Sequence, residues 1–572
     1  MYIKYKEHLL FWHLISEIAL FEEGFMKTNI LKRLGCSISV LLTLSACGGV
    51  DKAVIEAPEQ NKKLNILYIM SDDHTRQAIG AYGGLLAPLD PTPTIDALAS
   101  EGTRFDNVFV TNSICTPSRA SIITGQYSQT NGALDLDGKI GEEKQYLPKL
   151  MSEAGYETAM IGKWHLKKEP KAFDYYKVLP NQGKYFDPVF RDMKAKGKWP
   201  NNKVKVKGHS SDVITDLSIN WLSKRDKTKP FFLMHHYKAP HDMFENAPRY
   251  DDYLANVEIP EPASLYNQPN WGSVATKGNN DSLVNEIGTS ISKRNPRRNM
   301  GIHMDVDPTL ADNEYTHESY QRYLKKYLRT VKGVDDNLAR LFEHLKATGE
   351  WDNTVIIYTG DQGMMLGEHD MIDKRWMYEP SLRMPFIVRH PAKENAPKTN
   401  DDIINNTDFA PMMLDIAGVE TPDYMHGQSF ADVFDNKSLE SWREATYYRY
   451  WMHRAHHDVP SHFGVRSKDH KLIFFYGKHY DNTPAQSDVN YAGHNWSRKD
   501  GVVPSKTPTP VAWEFYDLKN DPEEVNNRYD DPQYKEVIAK LKVEMLQQRK
   551  AYGETDANYP HIQEVIDQHW ND

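Results

Sequence analysis

From residue 64 onward the chain alternates between two textures. Short apolar runs stop abruptly at polar, reactive residues, and longer stretches carry apolar residues at helical spacing. "LNILYIMSDDH" (64–74) ends in Asp72 and Asp73, and "FDNVFVTNSIC" (105–115) ends in Cys115. "YETAMIGKWH" (156–165) ends in Lys163 and His165, "KPFFLMHHYKAPH" (229–241) in His241, and "NTVIIYTGDQG" (353–363) in Asp361 and Gln362. Short apolar runs bounded by turn residues predict strands buried on both faces. "TIDALASEG", "YLPKLMSEAG" and the long stretch 318–349 predict amphipathic helices between them. Strands alternating with helices predict an α/β fold, a mostly parallel sheet flanked by helices. Such sheets bind ligands at the carboxyl ends of their strands. All five polar clusters fall there.

The texture changes near residue 430. "ATYYRYW", "HFGVRSKDHKLIFFYG" and "VAWEFYDLKNDPEE" predict antiparallel strands, and "PQYKEVIAKLKVEMLQQRKAYG" predicts a helix. The expected organisation is a catalytic domain over residues 63–430 and a smaller C-terminal α+β subdomain over 431–555. Residues 48–62 form a polar tether, and residues 1–47 a leader. Within the leader, "MKTNILKRLGCSISVLLTLSAC" places Lys27, Lys32 and Arg33 before a short apolar run at 38–44, the layout of a signal peptide. The run is too short to span a bilayer. It ends in Leu44-Ser45-Ala46-Cys47, which resembles a bacterial lipobox. Translation is therefore expected to start at Met26, and Cys47 to carry lipid. The expected location is an exported lipoprotein on the outer membrane, held by its lipid alone.

Composition narrows the chemistry. A formal net charge of -10 argues against general nucleic-acid binding. The 3 cysteines are Cys36, Cys47 and Cys115. Two lie in the leader, so no disulfide framework is expected. Two lysine- or arginine-rich stretches, 190–207 and Lys293, Arg294, Arg297 and Arg298, read as solvated loops ahead of a rim for an anionic polymer.

Adjacent carboxylates such as Asp72 and Asp73 repel, and a divalent cation relieves that repulsion. Asp361 and Gln362 add oxygens from a second strand end. An all-oxygen set suits calcium, or less well magnesium, over zinc. Each pair taken alone is as consistent with a turn or a helix cap. Lys163, His165, His241 and Lys374 would give a cationic pocket beside the metal, suited to charge on a tetrahedral oxyanion.

"SICTPSRASIITG" resembles the sulfatase signature built on Cys-x-Pro-Ser-Arg, and "GYETAMIGKWHL" resembles the second sulfatase signature. With the Asp-Asp strand, the "KAPH" turn and "GDQGMMLGEH", the resemblance runs through residues 64–390 and on to "FYDLKNDPEE". It is to the type I, formylglycine-dependent sulfatases, which have the alkaline-phosphatase-like fold. The resemblance implies that a sulfatase-maturing enzyme oxidises Cys115 to Cα-formylglycine (3-oxoalanine), whose hydrate is the nucleophile. Pro117 and Arg119 would mark the site, and Arg119 would hold the hydrate. Asp72, Asp73, Asp361, Gln362 and modified Cys115 would bind calcium, with Gln362 where Asn or His is commoner. His241, alone or with Lys374, would protonate the leaving alcohol, His165 would take a proton from the second hydroxyl, and Lys163 and Lys374 would hold sulfate.

The implied substrate is an external sulfated polysaccharide, with an ulvan-type algal polymer preferred. His456, His457, His462 and Arg466 are candidate sugar contacts, weighed evenly against a ligand-free histidine-rich connection. Two other functions compete. A phosphoesterase or phosphonate hydrolase of the same superfold would usually carry Ser or Thr at position 115. An inactive glycan-binding lipoprotein would have little reason to keep so many costly charges.

Overall fold

The computed structural model describes residues 63–266, 268–278, 289–294, 300–454, 457, 459–482, 508–554 and 556–572. The leader, Cys47, the tether up to residue 62, Arg297, Arg298 and His456 lie outside the described residues. Residues 63–572 form one compact unit.

The Asn65–Asp72 strand explains the architecture. Its side chains alternate: Ile66, Tyr68 and Met70 enter one apolar core, and Leu67 and Ile69 enter another on the opposite face. A strand apolar on both faces needs cover on both. The Ser210–Lys224 and Asp312–Ala347 helices supply it on the second face. The latter buries Leu324, Tyr327, Leu328, Val331, Val334, Leu338 and Leu341 along one stripe, with Asp312 and Glu314 in its first turn and His344 and Lys346 in its last. That charge order suits the helix dipole.

Among the described residues, ten strands make the main sheet. Across it run Thr399–Asn400, Thr103–Phe105, Phe386–Arg389, Thr354–Gly360, Asn65–Asp72, Phe231–Pro240, Glu157–Lys163, Tyr175–Leu179, Val189–Asp192 and Lys203–Lys205. The centre, from Thr354–Gly360 to Tyr175–Leu179, is parallel throughout. Antiparallel pairs flank it. Register brings the carboxyl ends level: Ser71 lies opposite both Gly360 and Tyr237, and Gly162 opposite His236. Gly162 takes φ 106°, and a Cβ there would stand 1.8 Å from the His236 carbonyl oxygen. Only glycine lets these two strands close just before Lys163.

One predicted strand divides. Of the run 105–115, only Phe105 belongs to the main sheet. Val108–Phe109 pairs instead with Ile404–Asn405, because the Asn107 side chain and carbonyl are engaged by the 401–404 segment. Cys115 therefore reaches the site as the first residue of a helix, Cys115–Thr124, all ten residues of which are buried.

The C-terminal part is a four-stranded antiparallel sheet, Ala445–Tyr450, His462–Ser467, His470–Phe475 and Ala512–Asp517. The Lys535–Ala551 and Pro560–His569 helices share its core. Glu379 ties it to the larger sheet's loops, pairing with Arg466 at 3.1 Å and Lys471 at 2.9 Å.

Candidate active site

The carboxyl ends of the central strands deliver Asp72, Lys163, His241 and Asp361 to one place, and the start of the Cys115 helix completes it. Carboxylate oxygens of Asp72, Asp73 and Asp361 lie within 4.8 Å of one another, as do the ligand atoms of Asp72, Cys115 and His241. Every one of these residues is buried. Asp73 leaves the strand at φ 63° and His165 at φ 57°. The strand ends at Lys163, so alternation along it does not govern His165. Lys374 is bracketed by Asp373 at φ 85° and Arg375 at φ 89°. Non-glycine residues at positive φ are uncommon, and four of them cluster here.

Arg119 is the hub. Its Nη2 lies 3.2 Å from Asp72 and 2.9 Å from Asp361, its Nε donates to Asp361 at 3.0 Å, and its Nη1 donates to the Lys163 carbonyl at 2.6 Å. Lys163 Nζ touches Asp72, donates to Gln182 at 2.5 Å and approaches Cys115 Sγ to 4.0 Å. Lys374 Nζ lies 2.5 Å from Asp73 Oδ2, and His241 Nε2 lies 3.7 Å from the same oxygen. Thr116 Oγ1 donates to the His165 carbonyl at 3.0 Å, which fixes that residue against the helix start.

The electrostatics follow from burial and charge. Burial pushes Asp72 up, but Lys163, His241 and Arg119 outweigh it and hold the carboxyl well below its usual range. Burial and the neighbouring Asp72 charge push Asp361 up to about 7, against the pull of Arg119. Burial drives His165 well down, with Lys163 and Arg119 adding to it. Burial also pushes the Cys115 thiol up to about 12, despite Lys163 and Lys374. An unmodified thiol held there is a weak nucleophile at neutral pH, since the thiolate is the reactive form.

The donor set fits a hard divalent cation. Three carboxylates converge, and Gln362 points its Nε2 at Asp73 while its carbonyl Oε1 stays buried without a hydrogen-bond partner. The amide reaches Asp73 through its nitrogen, and a flip exchanging nitrogen for oxygen would present a carbonyl ligand at the same place.

The four sugar-contact candidates separate. His457 lies 2.9 Å from Asp373, the neighbour of Lys374, and so borders the cluster. His462 is enclosed by Trp376, Tyr448 and Phe475, and burial lowers it to about 3. Arg466 forms a two-point pair with Glu379 and lies over the Phe109 ring. His456 lies outside the described residues.

The structure also brings in residues that sequence reasoning did not single out. Gln182 holds Lys163. His236 Nδ1 sits 3.1 Å from the Lys163 carbonyl and 3.4 Å from Arg119. Asp373 contacts both Arg375 and His457. Asp242 takes both contacts of His241 Nδ1. Asp242, Asp373 and Arg375 each stand one residue from a predicted site residue, the one signal that could have drawn attention to them.

Fold and site together define a hydrolytic centre for an oxyanion ester on an alkaline-phosphatase-like sheet. The chain belongs to the sulfatase family: the Sulfatase family model matches residues 64–419, and the model "N-sulphoglucosamine sulphohydrolase, C-terminal" matches 367–488 and 507–551. It is similar to the N-acetylglucosamine-6-O-sulfatase of Bacteroides thetaiotaomicron, with 36% identity over 93% of this chain and 94% of the relative. It is also similar to an ulvan-active sulfatase of Formosa agariphila, with 26% identity over 73% of this chain and 74% of that protein. A solved structure of a complex with its substrate D-glucosamine-2-N,6-O-disulfate superposes with a TM-score of 0.73 at 36% identity, covering 87% of this chain and 99% of that one. The protein is a sulfatase, a hydrolase of glycan sulfate esters.

Proposed function

We propose that this sulfatase removes the 6-O-sulfate of N-acetylglucosamine units, using an oxidised Cys115 and a divalent cation. The observation that carries the reading is the convergence of Asp72, Asp73 and Asp361, with Asp72 also grouped with Cys115 and His241 and with Gln362 in contact with Asp73. Cα-formylglycine at position 115 would supply, as its hydrate, an oxygen nucleophile in place of the poorly ionised thiol. Calcium held by Asp72, Asp73, Asp361 and Gln362 would supply charge neutralisation and polarise bound oxygens.

The chain's own residues do the rest. Lys163 and Lys374, both buried, hold sulfate oxygens as point charges. Arg119 fixes Asp72 and Asp361 relative to each other. His241 Nε2 gives a proton to the departing sugar oxygen. His165, kept neutral by burial, accepts a proton as sulfate is released. Asp373, Arg375 and His457 pack beside Lys374, with Asp373 pairing both Arg375 and His457.

Two findings support the 6-sulfated aminosugar. The relative with 36% identity is named for that reaction, and the similar solved complex holds a 6-O-sulfated glucosamine. An ulvan-type polymer takes second place, because the ulvan-active relative shares 26% over a smaller part of the chain. We further propose that a maturing enzyme oxidises Cys115, that Cys47 carries lipid, and that the protein sits on the outer membrane. No helix among the described residues is long and apolar enough to cross a membrane.

The test is sulfate release from N-acetylglucosamine 6-sulfate, set against 2-, 3- and 4-sulfated sugars, ulvan oligosaccharides and a sugar phosphate, after co-expression with a maturing enzyme. Preference for the 6-sulfate, with an altered mass on the Cys115 peptide, is expected. An unmodified thiol and no sulfate release from any sugar would sink the reading.

A further inference from the structure

His241 Nε2 faces the reacting centre, while its other ring nitrogen is fully committed to the next residue along the chain. Nδ1 lies 2.5 Å from Asp242 Oδ1 and 2.9 Å from the Asp242 carbonyl oxygen. A ring tied at Nδ1 by two acceptors from one residue cannot flip without losing both contacts. Nε2 is then the nitrogen presented to Asp73, Cys115 and the substrate.

The peptide carrying those acceptors is itself pinned. The Tyr185 hydroxyl donates to the His241 carbonyl, and the His241 amide donates to the Lys238 carbonyl at 3.2 Å. Lys238 Nζ reaches the Asp242 carbonyl at 3.5 Å and lies 4.6 Å above the Tyr185 ring. Tyr185 stacks in turn on His209. Tyr185 and Lys238 thus both hold this two-residue turn.

We propose that Asp242 is a positioning residue for sulfate-ester cleavage: its carboxylate and carbonyl orient His241 so that Nε2 meets the leaving oxygen. This rests on the leaving-group role given to His241 above. In the step, the S–O bond to the sugar breaks and its electron pair stays on the sugar oxygen. That oxygen takes the Nε2 proton, and the sulfuryl group passes to the nucleophile at position 115. A sugar alkoxide is a poor leaving group and depends on the proton. A nitrophenolate leaves without one. A misaimed His241 therefore harms sugar sulfates selectively.

The experiment compares wild type and Asp242→Asn on N-acetylglucosamine 6-sulfate and on 4-nitrophenyl sulfate. A second reading takes the His241 ring nitrogens by ¹⁵N NMR of histidine-labelled protein. The expected result is a kcat loss of about 10²-fold on the sugar sulfate with little change in KM, and a loss under about tenfold on the aryl sulfate. The Nδ1 signal should move while other histidine signals stay. Equal losses on both substrates would mark Asp242 as merely structural and overturn the proposal, as would full activity on the sugar sulfate or an unmoved Nδ1 signal. A wild type inactive on every sulfated sugar would instead count against the proposed function, and the NMR comparison would still decide this point.

Discussion

Gln362 is the residue whose standing geometry alters most. In sequence it departs from the side chains usual at its position, and its longer arm left its part open. In the fold its amide nitrogen is spent on Asp73, and its carbonyl oxygen is buried without a hydrogen-bond partner; a flip of the amide would offer that oxygen to a cation held by the carboxylates. Gln362→Ala is therefore expected to weaken divalent-cation binding at the proposed site, by at least the roughly 10–100-fold that loss of an outer-shell partner costs; titration calorimetry with calcium reads it without turnover. Cys115→Ala should lower sulfate release by roughly 10³-fold or more, and near-normal rates would refute the nucleophile assignment. At this scale the sequence was readable where a reactive side chain ends an apolar run, as with Asp72, Lys163 and Asp361. It was silent on Gln182, which sits in an irregular loop with no period, and on Asp242, whose side chain folds back onto its own neighbour. Contacts made by irregular backbone leave no trace in spacing.

Among elements, the apolar runs named their strands because burial on both faces demands unbroken hydrophobicity. The Val108–Phe109 pairing escaped notice for the converse reason: two residues carry no period, and the Asn107 contacts that divert the chain are made with a segment nearly three hundred positions away. The C-terminal strands were legible too, but which way their polar side chains turn was not. Arg466, a candidate sugar contact from sequence, is held by Glu379 with Lys471 and Glu524 beside it. When Arg466 is truncated Glu379 keeps Lys471 and Arg383, so it loses one charged partner without being stranded. Arg466→Ala should therefore cost about 1.5–3 kcal/mol of stability in a denaturant titration, with KM for the sugar sulfate unchanged in the enzyme that remains folded. A raised KM at undiminished stability would return Arg466 to the substrate.

For the molecule as a whole, acid sensitivity is written into its core. Burial lowers His235, His369 and His462 each to about 3. These rings stay neutral in the fold while the unfolded chain protonates them below about 6.5. The unfolded state then binds more protons, so the stability they contribute is complete above that pH and is lost as pH falls toward 3. Each can remove up to about 1.4 kcal/mol per pH unit. The melting temperature should drop between pH 7 and pH 5, and His462→Phe should flatten the drop. A second consequence concerns time. The site draws on positions from 72 to 374, and Cys115, 1% exposed, lies beneath them. In the folded chain no other enzyme's active site can reach that sulfur. The proposed oxidation of Cys115 would therefore have to precede folding. Purified unmodified protein should gain no mass change at Cys115 when mixed folded with a maturing enzyme, whereas the unfolded chain should; an error in that order yields a sound fold that can never be repaired into an enzyme.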